Sequence, residues 1–122
     1  PELAARLFEP MLLDARRPAG AAIQYVPVQP CAFDGRRLRT FMHGDYFHSV
    51  ERHEGVTLDP LARAALEEWE RFAESAGVHL DMQLQPGDLQ LVSNHTVVHA
   101  RTAYVDDPRS PRHLLRLWLS LV

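Results

Sequence analysis

The sequence predicts a mixed α+β fold in which helical segments precede an antiparallel β region. Three observations predict it. Residues 57–77 have the apolar spacing of one long amphipathic helix. The segments that follow carry apolar side chains at alternate positions, as half-buried strands do. Nine prolines and six glycines separate these patterns, several of them in combinations typical of turns.

The first third of the chain alternates between short helical and extended patterns. Leu3, Leu7 and Phe8 lie at helical spacing over residues 1–8, where Pro1 suits a first helical turn and Pro10 ends the helix. Further patterns predict a loop over 16–20, strands over 22–28 and 38–42, a turn over 33–35 and a short helix over 45–53.

The long helix over 57–77 has both a start and a stop signal. Asp59 can cap it, Pro60 suits its first position, and Gly77 is a C-terminal stop. An apolar stripe is predicted to face the core, and an acidic face is predicted to face water. The stripe comprises Leu61, Ala65, Trp69, Phe72 and Ala76, and the wet face comprises Glu67, Glu68, Glu70, Arg71 and Glu74.

Four segments of the C-terminal part are predicted to be strands. Leu80, Met82 and Leu84 alternate with polar residues, and Pro86-Gly87-Asp88 forms a turn after them. The predicted strands cover 80–84, 89–93, 97–104 and 113–122.

Composition excludes several classes of function. A net charge of −3 offers no basis for binding nucleic acid or an anionic membrane. The single cysteine, Cys31, excludes an internal disulfide framework and predicts a reducing, cytoplasmic setting. No apolar run approaches the roughly 18 residues of a membrane helix. The predicted partner is a small molecule, and the oligomeric state stays open.

His99 is the first candidate for chemistry, because it lies within an apolar run. On a strand it shares a face with His95 and Val97. A histidine in such a run is commonly a hydrogen-bonded core side chain, but imidazole is also the commonest metal ligand. If His99 is a metal ligand, one alternative is a zinc site formed by His95 and His99.

Arg112 and Arg116 are the second candidate, since both project from one face of a strand rich in leucine. Burying a guanidinium without a partner is costly, so at least one of them should meet an anion. That anion is either a protein carboxylate or a ligand carboxylate held by charge-assisted, bidentate bonds. The spacing does not decide between the two.

Taken together, these motifs resemble the C-terminal part of the TauD/TfdA family of non-haem Fe(II)- and 2-oxoglutarate-dependent dioxygenases. The resemblance rests on Pro86-Gly87-Asp88 followed by an apolar strand, on Asn94, on VVHAR at 97–101, on Tyr104 and on RHLLRLWL at 112–119. The upstream helix, strand and long-helix segments look similar too. The resemblance implies the C-terminal part of a double-stranded β-helix (jelly roll), with one long and one or two short helices.

The resemblance also implies roles for individual residues and an activity. His99 looks like the distal histidine of the facial iron triad, and Arg112 like the arginine that receives the distal carboxylate of 2-oxoglutarate. By the same resemblance, Arg116 would lie near the cosubstrate or an anionic substrate, while Asn94 and Arg101 would support the site. The implied cofactors are Fe(II) and 2-oxoglutarate, and the implied reaction hydroxylates a small organic substrate with release of succinate and CO2.

The family's other two iron ligands lie in an H-x-D/E motif well upstream of the distal histidine. His43-Gly44-Asp45 matches that motif, but a helix fills much of the stretch between it and His99. We therefore expect residues 1–122 to be the C-terminal portion of the domain, with the H-x-D motif before Pro1. The 122-residue chain alone is then expected to be inactive. The alternative is a non-catalytic jelly-roll domain without a complete iron site.

Overall fold

Among the residues that the structure describes, three α-helices, one 3-10 turn and four strands make up the regular structure. The computed structural model describes residues 1–111 and 113–120. In chain order the elements are α1 (Glu2–Arg6), β1 (Met11–Asp14), β2 (Tyr25–Val28), β3 (Cys31–Phe33), β4 (Leu38–Thr40), α2 (Gly44–His48), a 3-10 turn (Ser49–Arg52) and α3 (Pro60–Ala73). A mixed fold of antiparallel strands and few helices is thereby confirmed.

The strands form two separate antiparallel pairs. Met11 pairs with Val28 in the β1–β2 pair, and Cys31 pairs with Thr40 in the β3–β4 pair. The predicted turn between β3 and β4 is confirmed: the Asp34 carboxylate accepts hydrogen bonds from the amides two and three residues later, and Gly35 has a φ of 89°. The strands predicted over 22–28 and 38–42 form with shorter bounds. Strands β1 and β3 were not predicted, because their sequences lack a clear alternation of apolar and polar residues.

Helix α3 begins where the capping signals placed it. The Asp59 carboxylate accepts a hydrogen bond from the amide of Ala62 at 2.8 Å, and Pro60 is the first helical residue. The helix ends at Ala73, four residues before Gly77. The predicted range of 57–77 was therefore three residues too long at its start and four too long at its end.

The predicted apolar stripe of α3 is partly wrong. The buried residues of the helix are Ala62, Ala65 and Leu66, with Trp69 packed at the edge of the core, whereas Phe72 is 60% exposed. Helix α1 and helix α2 both contact α3. The side chains of the two buried alanines are single methyl groups, so neighbouring helices can approach α3 closely at these positions. The buried face of α3 is therefore rotated about the helix axis from the predicted stripe, which contains the aromatic side chains.

The hydrophobic core lies where the two strand pairs meet the helices. Phe47 of α2 and Leu66 of α3 are fully buried at its centre. The other members are Leu7, Met11, Leu13, Cys31, Leu58, Ala62 and Ala65. All of these residues come from the first 66 positions, so the packed part of the molecule is N-terminal.

The C-terminal segment differs from the prediction. Within residues 74–111 and 113–120 the backbone forms turns and one isolated bridge, between Asp107 and Ser110, and none of the predicted strands. Apolar side chains such as Leu89 and Leu115 are exposed. A strand is stable only when a neighbour accepts its hydrogen bonds and covers one of its faces, and these segments find no such neighbour in the described structure.

One hydrogen bond does connect the C-terminal segment to the sheet region. The amide of Thr40 in β4 donates to the carbonyl of His95 at 2.9 Å. On the opposite side of the same pair, the amide of Cys31 donates to the carbonyl of Leu7 at 2.9 Å. The β3–β4 pair is therefore flanked on both edges. The helices in the described ranges are all too short or too polar to span a bilayer.

The rotated face of α3 can be tested by two truncations. We expect Leu66→Ala to lower the free energy of unfolding by about 2–5 kcal/mol, because it removes a fully buried side chain and leaves a cavity. Phe72→Ala, the matched control, should change it by less than about 1 kcal/mol, because that ring is mostly in water. Urea unfolding of both variants measures the difference, and equal losses would contradict the packing described above.

Candidate functional site

The predicted site residues lie in the C-terminal segment. His99 is exposed there and belongs to no helix or strand. Arg116 is exposed too, and it forms no ion pair with any residue in the described ranges. Arg112 lies outside the described residues. The structure therefore leaves the proposed grouping of His99 with the two arginines untested.

The alternative metal ligands, His43 and Asp45, lie at the start of α2. His43 precedes the helix, its carbonyl accepts hydrogen bonds from the amides of Tyr46 and Phe47, and its ring lies 4.1 Å from the Tyr46 ring. Asp45 is exposed, and its carbonyl accepts a hydrogen bond from Arg16 at 3.2 Å. The backbone carbonyls of both residues and the ring of His43 are thus engaged in local contacts at the helix start.

The described residues do not fit an iron centre by themselves. Across residues 1–111 and 113–120, no group of three or more histidine, cysteine, aspartate or glutamate side chains could hold a metal ion. Within these ranges, therefore, neither the pair His43 and Asp45 nor the pair His95 and His99 belongs to such a group. Fe(II) in a facial triad needs two histidines and a carboxylate on one centre, and these ranges bring no such set together.

A different cluster, which sequence reasoning missed, is built around Asp14 at the end of β1. Its side chain is fully buried. Arg52 donates to it through two nitrogens, Nε to Oδ2 at 2.5 Å and Nη2 to Oδ1 at 3.1 Å. Such a two-point contact is the strong geometry for a guanidinium and a carboxylate. It joins β1 to the 3-10 turn that follows α2.

Three further groups complete the environment of the Asp14 carboxylate. The amide of Arg16 donates to Oδ1 at 2.7 Å, and the hydroxyl of Ser49 donates to Oδ2 at 3.1 Å. His53 Nε2 lies 3.3 Å from Oδ1. The hydrogen bond from Arg52, aided by those from the Arg16 amide, His53 and Ser49, holds the pKa of Asp14 far below its ordinary value although burial opposes this. The carboxylate is therefore charged at every physiological pH.

Beside this cluster lies an open cleft with a volume of about 440 Å³. It is bordered by Asp14, Arg16, Arg17, Pro18, Ser49 and Arg52. The guanidinium of Arg16 lies over the Tyr46 ring, with 4.1 Å between its central carbon and the ring centroid. The cleft can attract anions, because three arginines border it and the one carboxylate among its lining residues is already hydrogen-bonded.

The sequence did carry a local signal for this cluster. Asp14 follows three apolar residues and precedes Ala15-Arg16-Arg17, so a charged residue ends a buried run beside two cations. Its main partner, Arg52, is 38 residues further along the chain. No spacing rule links the two, so the pairing could not be read from the sequence.

Comparison with known proteins finds a family that the chain matches over most of its length. Residues 19–118 match the family described as taurine catabolism dioxygenase TauD, TfdA family. A curated protein named FR-33289 synthase, from Streptomyces rubellomurinus, is 43% identical over 71 residues. The match covers 55% of this chain and 21% of that protein, so the chain spans about a fifth of its relative's length. No solved structure matches.

The Asp14 cluster predicts a dependence of stability on pH. Because the folded-state pKa of Asp14 lies below its unfolded value of about 3.9, its contribution to stability is complete well above that value. The contribution is lost progressively as the pH falls from the unfolded-state pKa down through the folded-state pKa. We expect Asp14→Asn to unfold at lower urea concentration at pH 7 and to lose less stability between pH 6 and pH 2 than the parent chain. Urea midpoints across that range measure both effects.

The control for this experiment is Asp81→Asn, which removes an exposed carboxylate that pairs with exposed His79. It should follow the parent chain at every pH. If the stability of Asp14→Asn also followed that of the parent chain at every pH, the hydrogen bonds of Asp14 would not stabilise the contact between β1 and the 3-10 turn.

Proposed function

This chain belongs to the taurine catabolism dioxygenase TauD, TfdA family, and from that premise we propose that it is part of an Fe(II)- and 2-oxoglutarate-dependent dioxygenase. The reaction would hydroxylate a small organic substrate and release succinate and CO2. The family match carries the proposal, because it covers residues 19–118 and so includes His99, Arg112 and Arg116.

His99 is proposed as one iron ligand and Arg112 as the partner of the distal carboxylate of 2-oxoglutarate. Neutral imidazole suits a first-row metal, and a guanidinium can hold a carboxylate through two parallel hydrogen bonds. Arg116 is proposed to lie beside the cosubstrate or an anionic substrate. Its exposed guanidinium has no ion-pair partner in the described ranges, which leaves it available for such a role.

We propose that the remaining ligands come from an H-x-D motif that precedes Pro1 in a longer protein, and that the C-terminal segments become strands of a jelly roll there. The exposed leucines of these segments support this, because a strand of the same sequence inside a sheet would bury them. The short span of the relative covered by this chain is consistent with it. On this proposal the 122-residue chain is inactive by itself.

The test is an anaerobic titration with Fe(II) and 2-oxoglutarate, performed on the 122-residue chain and on the full-length protein that contains it. The charge-transfer absorption of the iron–2-oxoglutarate complex is the signal. We expect it in the full-length protein and not in the short chain. His99→Ala should abolish it, whereas His79→Ala, which changes an exposed histidine, should leave it intact.

Arg112→Ala tests the cosubstrate contact separately. We expect it to weaken 2-oxoglutarate binding roughly ten- to a hundredfold, which corresponds to the loss of one charge-assisted contact. The matched control is Arg109→Ala, since Arg109 pairs locally with Asp107. A signal that vanished in Asp45→Ala as well as in His99→Ala would assign the other two ligands to the His43-Gly44-Asp45 motif. Its absence from the full-length protein would favour a non-catalytic jelly-roll domain.

A further inference from the structure

The cleft beside Asp14 carries more positive charge than its one carboxylate balances. Arg16, Arg17 and Arg52 border it, and Asp14 is the only acidic residue among the groups that line it. The carboxylate of Asp14 accepts hydrogen bonds from Arg52, Ser49 and the Arg16 amide. One carboxylate balances one guanidinium, so two positive charges remain on the wall of the cleft.

Only one of the three guanidinium groups, that of Arg52, binds the Asp14 carboxylate and so connects β1 to the 3-10 turn. The backbone amide of Arg16 donates a hydrogen bond to Asp14, whereas its guanidinium donates to the Asp45 carbonyl. The Arg17 side chain forms no hydrogen bond or ion pair with the described part of the chain, and it is exposed. Arg52 is half exposed and uses Nε and Nη2 on Asp14, which leaves its Nη1 group without a protein acceptor there.

The Arg16 guanidinium is held in place before any ligand arrives. The backbone of Arg16 has a φ of 47°, in the left-handed region that residues other than glycine rarely adopt. Its Nη2 donates to the Asp45 carbonyl at 3.2 Å, and its central carbon lies 4.1 Å from the Tyr46 ring centroid. A cation fixed in this way loses little conformational freedom when it binds an anion, which favours binding.

We propose that this cleft is a binding site for a small oxyanion that carries two negative charges, for which inorganic phosphate is the simplest probe. Arg17 and the free edge of Arg52 supply hydrogen-bond donors, and Arg16 adds a fixed positive charge. A dianion matches the uncompensated charge, and guanidinium groups bind phosphate oxygens in a directional way. None of Arg16, Arg17 and Arg52 is among the residues proposed above to bind iron or 2-oxoglutarate, so the inference goes beyond the proposed oxygenase activity and does not depend on it.

The test is a calorimetric titration of the protein with inorganic phosphate at low ionic strength, without iron or 2-oxoglutarate. We expect saturable binding that weakens as salt is raised from about 50 to about 200 mM and that exceeds binding of the monoanion acetate. Arg17→Gln should weaken phosphate binding about three- to tenfold. Circular dichroism should show that its fold is unchanged, since the side chain makes no contact that the fold needs.

The matched control is Arg36→Gln, which removes one exposed guanidinium from the β3–β4 turn. The backbone amide of Arg36, which binds Asp34, is kept. Its phosphate affinity should equal that of the parent. The proposal is overturned if phosphate binding is not saturable, if acetate binds as well as phosphate, or if Arg17→Gln and Arg36→Gln weaken binding equally. The last result would indicate attraction to net charge rather than to this cleft.

Discussion

The buried carboxylate of Asp14 is the interaction on which the packed part of the molecule depends. A charge removed from water must be matched by donors, and here a guanidinium, a hydroxyl, an amide and an imidazole meet it. Because these donors come from the loop after β1 and from the turn after α2, satisfying one carboxylate brings both segments together. Phe47 and Val50, which flank this region, are then fully buried.

The molecule divides into a packed N-terminal part and an exposed C-terminal part. All core residues lie before position 67, while the residues proposed to bind iron and 2-oxoglutarate lie after position 98. The hydrogen bond from Thr40 to His95 joins the two parts at the edge of β4. Strand formation needs a partner for each edge and each face, so a sheet that would organise His99 requires more neighbours than β4 provides.

Local signals predicted the elements whose stabilising interactions are themselves local. The cap at Asp59 involves residues three apart, and the turn at Asp34 and Gly35 depends on neighbouring amides and one positive φ. Prediction failed where the partner is distant in sequence. The buried face of α3 was predicted wrongly because its alanines become part of the core only when other helices pack against them. Strand β1 was not predicted because buried and exposed side chains do not alternate along it.

By itself, the sequence indicated the family through the resemblance of its motifs, and that resemblance in turn implied the candidate ligand and cosubstrate residues. It also determined where the long helix begins, since a capping side chain acts within one turn. Only the tertiary structure decided that Asp14 and Arg52 meet and that Arg16 lies over Tyr46 beside an open cleft. Such contacts depend on how separate elements pack, and packing joins residues that no local pattern relates.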